Sequence, residues 1–168
     1  MQLIRSIFFY FIMYSFLGWM IEGFFNLSTK GHFIKPNFLL LPLKPMYGIA
    51  ATLLILIKDV IPFELFLIAA FIIPSLVEYL SAYLLAHVFH LKYWDYSHCN
   101  YQLSGYICLR FSIYWLILSL VLTYGLQPFI ALLYQNISWL WYYFFPVSLF
   151  IFLIDFSLTI RLKKCTIY

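Results

Sequence analysis

Long apolar runs alternate with short polar clusters along the whole chain. A helix that crosses a bilayer needs about 20 mostly apolar residues. Runs of that kind are predicted at 3–25, 40–57, 63–89, 105–126 and 137–160. The expected fold class is all-α: a polytopic α-helical membrane protein with about five transmembrane helices, in a single transmembrane domain over residues 1–168. The runs are continuous and do not alternate in segments of about ten residues, which argues against an outer-membrane barrel. The first run is too long for a signal peptide and has no small-residue cleavage site, so it reads as a retained helix.

Prolines punctuate these runs. Residues 38–45 read FLLLPLKP, and the clean run from Met46 to Ile57 is short for a crossing. Pro45 suits the first position of a helix, where its missing N–H costs nothing. Either the FLLLPL segment enters the membrane as irregular backbone or the second helix is short. Irregular backbone at that depth has to be buried in protein or line a wet cavity. Pro74 and Pro146 fall inside predicted helices, as kinks. Pro128 is expected to break the fourth helix, leaving PFIALLYQN as a connector.

Composition points the same way. Apolar and aromatic residues make up 65% of the chain and charged residues 10%, with mean hydropathy +0.96. A soluble domain carries roughly 25% charged residues, so this chain cannot cover a water-facing surface. The natural partner is the lipid bilayer. A net charge of +4 would raise nucleic acid as a partner for a soluble protein. Here the basic residues sit in loops and at the tail, where they set orientation, and no nucleic acid is expected. With five crossings, Arg5 and Lys58 lie on one side, and Lys30, Lys35, Lys44, Lys92, Arg161, Lys163 and Lys164 on the other. Positive charge stays in the cytoplasm. A multi-pass cell-membrane protein with its N-terminus outside and its C-terminus cytoplasmic is predicted.

Charges inside spans are costly and tend to face protein or water. Four occur: Glu22, Glu78, Arg110 and Asp155. At about 1.5 Å rise per residue, Glu78 falls near mid-membrane and the others closer to the cytoplasmic side. Tyr14, Ser15, Gly18 and Glu22 share one helical face, as do Ser75, Glu78, Ser81 and Ala82. Small and polar residues on one stripe mark helix–helix contacts in lipid. Glu22, Glu78 and Arg110 are therefore candidates to line a polar chamber open to the cytoplasm. The competing reading is a structural ion pair or a hydrogen-bonded carboxyl. Asp155 reads as an interfacial anchor beside the basic tail.

The loop HLKYWDYSHCNYQLSG holds a second candidate group, Trp94, Asp95, Tyr96, Ser97 and Asn100. An aromatic belt at the membrane surface accounts for the rings but not for the acid and amide among them. Asp95 suits a role pinning the loop through backbone N–H groups. His87 and His90 have a metal-compatible spacing, but no carboxylate is placed beside them and no metal is expected. Cys99, Cys108 and Cys165 are scattered without a C-x-x-C spacing, so neither a zinc site nor a redox pair is indicated. There is no P-loop, H-E-x-x-H, G-x-S-x-G or dinucleotide-binding glycine pattern. No catalytic residue or cofactor is assigned.

Two blocks resemble a known family. YSFLGW followed by Glu22 and then FLLLPLKPMYG, and later EYLSAYLLAHVFHLKYWDYS followed by LSGYICL, are similar in order and spacing to the bacterial membrane proteins named putative ABC-transporter type IV, permease-like. The positions that match are Glu22, Tyr47, Gly48, Glu78, Trp94, Asp95, Tyr96, Ser97, Gly105 and Cys108. Lys35-Pro36-Asn37 departs from the family's Asn-Arg-Gly, and Gln102-Leu103-Ser104-Gly105-Tyr106 from its Asn-Leu-Asn-Gly-Arg. The resemblance implies a transport-related permease subunit, and the candidate chamber suits a small polar or cationic solute. Coupling to ATP would require a separate ATPase chain, and because five crossings make a small pore-former, a homo-oligomer or hetero-complex is expected. A membrane-embedded enzyme acting on a lipid or isoprenoid, and a non-catalytic assembly or regulatory protein, are the alternatives.

Overall fold

The computed structural model describes residues 1–165; the last three residues of the basic tail lie outside the described residues. The described chain is mostly helical. In order it forms α1 (Gln2–Lys30), α2 (Pro45–Ile57), α3 (Phe63–Val88), a two-stranded hairpin of β1 (Gln102–Leu103) and β2 (Ile107–Cys108), α4 (Leu109–Leu120), a π-helical segment (Val121–Leu126) and α5 (Gln127–Cys165). Three helical stretches are long and apolar enough to cross a membrane: Gln2–Lys30, Phe63–Val88 and Leu109–Cys165.

Several boundaries differ from the sequence expectation. α1 continues past Phe25 because its polar end bonds back to its own turns. Ser28 and Thr29 hydroxyls donate to the Phe24 and Phe25 carbonyls at 3.0 and 2.8 Å. Gly31 then ends the helix in the left-handed region at φ 75°, its N–H reaching Leu27 O. α2 starts at Pro45, as its chemistry predicts, but the expected span from residue 40 shrinks to Pro45–Ile57. Residues 105–108 belong to the hairpin, so the fourth helix starts at Leu109. Pro128 does not break the chain either, and PFIALLYQN is helical. Pro128 lies two residues past the end of the π-helical segment, where the intrahelical bonding shifts register and an absent N–H is tolerated.

The chain divides into two compact units, Met1–Gly48 with the residues from Ala131 onward, and Ile49–Ile130. In the first, aromatic rings knit α1 to α5: Phe8 to Trp141 and Phe145, Phe9 to Tyr134, and Phe11 to Phe152, with centroids 5.0–6.3 Å apart. Two glycines let α1 and the start of α2 touch. A Cβ on Gly18 would enter the Tyr47 side chain, and one on Gly48 would meet the Ser15 hydroxyl and the Phe11 carbonyl. The family-like YSFLGW and PMYG blocks are thus the two halves of one close contact.

Residues 31–44 of this unit form irregular backbone held by side chains. Asn26 Nδ2 donates to His32 O at 2.8 Å, and Asn37 Nδ2 to Leu41 O at 2.8 Å. Asp155 is buried, and its two oxygens accept the Leu40 and Leu41 amides at 3.1 and 3.2 Å. The interfacial reading of Asp155 is therefore corrected: the carboxylate satisfies consecutive N–H groups that a helix would have paired internally. D155A is expected to destabilise the full chain by about 2 kcal/mol, because two buried amides lose their acceptor. D155N, keeping one acceptor, should fall between. Thermal unfolding in detergent measures this, and a D155A chain as stable as the parent would refute the role.

In the second unit α3 and α4 run antiparallel. Glu78 meets Trp115 while Phe63 and Phe66 meet Tyr124. Its apolar centre is Leu54, Phe66 and Ala70, packed against Leu116 and Leu120 among others.

Candidate functional site

Each unit holds one of the two predicted acids in its own polar setting. In the first unit, the Glu22 side chain is 14% exposed and its Oε2 accepts from Lys35 Nζ at 2.7 Å and Lys44 Nζ at 3.1 Å. Lys44 is the more deeply placed cation, with 9% of its side chain exposed. Its ammonium also lies 3.5 Å from Pro36 O, and its backbone N–H donates to Ser15 O at 2.9 Å. Both lysines come from the irregular 31–44 segment. Glu22 therefore fastens that segment to α1, as Asp155 fastens it to α5. One carboxylate facing two ammonium groups leaves this cluster with a positive balance.

In the second unit, Glu78 is 4% exposed. Its Oε1 accepts from the Tyr96 hydroxyl at 3.0 Å and its Oε2 from Trp115 Nε1 at 2.8 Å. Pro74 and Ser75, one turn before it, are buried on the same face. Tyr96 reaches Glu78 because the loop before the hairpin is built to deliver it. Asp95 Oδ1 accepts the Ser97 N–H at 2.9 Å, a local turn of the kind aspartate favours. Its Oδ2 accepts from Lys92 Nζ at 2.6 Å. The Lys92 ammonium and the Ser97 N–H hold the exposed Asp95 carboxyl well below the usual range for a carboxylate. Trp94 Nε1 donates to Tyr106 O at 3.0 Å, Tyr96 N–H to Gly105 O at 2.9 Å, and the Tyr96 ring stacks on Phe111 at 4.6 Å. Partial burial raises the Tyr93 hydroxyl above its ordinary pKa.

The five loop candidates separate by position. Trp94, Asp95, Tyr96 and Ser97 form one bonded motif that carries Tyr96 to Glu78, while Asn100 is exposed in the turn before β1. Arg110 is exposed, and its Nε donates to the Tyr114 hydroxyl at 3.0 Å. That partner lies four residues on along the same helix, so the contact pairs Arg110 with neither carboxylate. Three participants were missed. The sequence presents Lys35 and Lys44 only as topology charges and Trp115 only as one more apolar helix residue. Conventional periodicity holds no signal for these pairings; the signal available was a lysine buried between two prolines in FLLLPLKP. Among the described residues no group of three or more His, Cys, Asp or Glu could hold a metal. His87 instead stacks on Tyr83 at 4.1 Å.

Long apolar helices carrying buried acids, with irregular segments tied to them by those acids, define a polytopic helical membrane protein. The chain belongs to the family described as Putative ABC-transporter type IV, whose model matches residues 9–160. Both blocks that suggested the resemblance lie within the matched stretch. No curated protein and no solved structure matches it. The family and the helices together make this a transport-related membrane protein.

Proposed function

We propose that the chain is the permease-like subunit of a transport system for a small polar or cationic solute, energised by a separate ATPase chain. The observation that carries this reading is the Glu78 node. A buried carboxylate within an apolar helix is costly and marks a pathway more often than a scaffold, and this one is bonded directly to a surface loop through Tyr96. Solute or proton arriving at Glu78 competes with the Tyr96 hydroxyl, so occupancy in the membrane alters the hold on the loop. The loop motif is then the element that a partner ATPase senses. Glu22, already facing two lysines, serves as a clamp and leaves Glu78 as the solute-facing acid of the cytoplasmic chamber. Homo-oligomerisation supplies the remaining pore wall.

The same reading keeps one membrane domain with five crossings, the N-terminus outside and the C-terminus in the cytoplasm. Residues Leu109–Cys165 extend to roughly 85 Å as a straight helix, against about 30 Å of hydrocarbon. That length supplies two crossings if the stretch bends, and π-helical segments and prolines are where helices bend. Fusing a reporter to the C-terminus, and in parallel to the residue 89–104 loop, tests the map. Both should report the cytoplasm.

Purification of the full chain from its own cells in mild detergent is expected to bring down an ATP-hydrolysing chain at fixed stoichiometry. Inverted membrane vesicles should show ATP-dependent movement of a small solute that E78Q abolishes at normal abundance. A chain that purifies alone, with altered lipid or isoprenoid products on deletion, would replace this reading with the membrane-enzyme alternative.

A further inference from the structure

The first unit holds an open groove that the transport reading leaves unused. It lies where the start of α1 meets the first half of α5 and has a volume of about 430 Å³. Gln2, Arg5, Ser138, Trp139, Tyr142 and Tyr143 are among its lining residues, and no carboxylate lines it. Arg5 is held there from two sides. Its backbone carbonyl accepts from Trp141 Nε1 at 3.0 Å, and its guanidinium carbon lies 4.3 Å from the centre of the Tyr142 ring. A cation at that distance from a ring face is attracted to it. Among the described residues no carboxylate pairs with Arg5. Ser138 Oγ donates its one proton to Gln135 O at 3.0 Å, which leaves that oxygen able to accept but not to donate.

The groove is polar at one end only. Trp139 and Tyr143 are strongly exposed, and the same face of α5 continues through the exposed Val147 and Phe150. These four stand at i, i+4, i+8 and i+11, so they form one apolar stripe leading away from Arg5. Tryptophan and tyrosine rings sit at the headgroup level of a bilayer, and a stripe below them meets acyl chains.

We infer that this groove seats the headgroup of a net-anionic phospholipid of the phosphatidylglycerol kind. The planar N–H fork of Arg5 matches the phosphodiester, and the Gln2 amide adds a second donor. Ser138 Oγ accepts from a hydroxyl of the glycerol headgroup, and an acyl chain runs along the stripe from Trp139 to Phe150. The stripe selects a lipid over a free phosphate, which would engage Arg5 and leave the apolar face uncovered. The charge balance selects a net-anionic lipid, because the ammonium of a zwitterionic headgroup would meet Arg5 and no acid. In the proposed orientation the groove sits at the outer leaflet. The inference depends neither on that side nor on Glu78 handling solute.

The test uses the full chain, purified in mild detergent and stripped of lipid. It is titrated separately with phosphatidylglycerol, phosphatidylcholine and glycerol phosphate, and bound copies are counted by mass spectrometry of the intact complex. One phosphatidylglycerol per chain should bind about tenfold more tightly than phosphatidylcholine, as a hydrogen-bonded charge pair allows. Glycerol phosphate at the same concentration should not displace it. R5Q keeps the carbonyl that Trp141 bonds and should lose the preference. R5K keeps the charge without the fork and should retain part of it. R161Q removes an equal charge near the other end of α5 and should leave the preference intact. Equal retention of both lipids by the parent, a preference that survives R5Q, a preference lost equally in R161Q, or displacement by glycerol phosphate would each overturn the inference.

Discussion

Replacing Glu22 by alanine is expected to destabilise the full chain by about 3 kcal/mol or more, the usual cost of removing one partner from a buried ion cluster. The loss exceeds that of a surface pair because both ammonium groups that share its Oε2 would remain within reach of each other. One of them, Lys44, has only 9% of its side chain exposed. The single lysine variants should rank by burial. K44A leaves Glu22 with the more hydrated Lys35 and costs less than E22A. K35A removes a side chain 26% exposed and costs about 1 kcal/mol or less, as exposed pairs do. Thermal unfolding of detergent-solubilised protein gives the order. A K35A chain as unstable as E22A, or an E22A chain as stable as the parent, would show that Glu22 is solvated and not clamped.

The second large effect is expected at Tyr96. Y96F removes the hydroxyl that donates to Glu78 at 3.0 Å while keeping the ring on Phe111. Leaving a buried carboxyl oxygen without its donor costs about 2 kcal/mol, so the loop should open about thirtyfold more often. Cleavage of residues 89–104 by a protease at low concentration follows the open population and should rise in proportion. E78L removes the acceptor for both Tyr96 and Trp115 and should open the loop further and lower membrane abundance. D95N is the internal control. It weakens the local turn and the Lys92 contact but leaves the Tyr96–Glu78 bond, so its effect should be smaller. Equal cleavage in all three variants would mean that the motif is held by its own hairpin and not by α3.

The candidate acids were legible because charge in a long apolar run is conspicuous, and a stripe of small residues marks the helix face that meets protein. Glu22 and Glu78 were recognised on that basis. Their partners were not. Lys35 and Lys44 lie beyond a polar turn in a segment without periodicity, and nothing in the local pattern reports that the backbone folds back along α1. Asp155 looked interfacial because the basic tail follows it, whereas its acceptors answer two amides far away in the sequence. The join between the fourth and fifth predicted helices differs from the sequence expectation for a related reason. Pro128 normally ends a helix, but a π-helical turn just before it removes the bond that proline cannot make.

Hydropathy alone decided that this chain is built from apolar helices suited to lipid, since hydrocarbon forces every backbone polar group to be satisfied within its own segment and leaves a long, readable run. The order of the two family-like blocks was equally plain from the sequence. Tertiary structure decided which cation meets Glu22, which loop residue reaches Glu78 and what Asp155 holds. Those pairings are made by irregular segments and a short hairpin, whose path is set by capping and hydrogen bonding to distant elements, and no periodic signal along the chain encodes a distance between them.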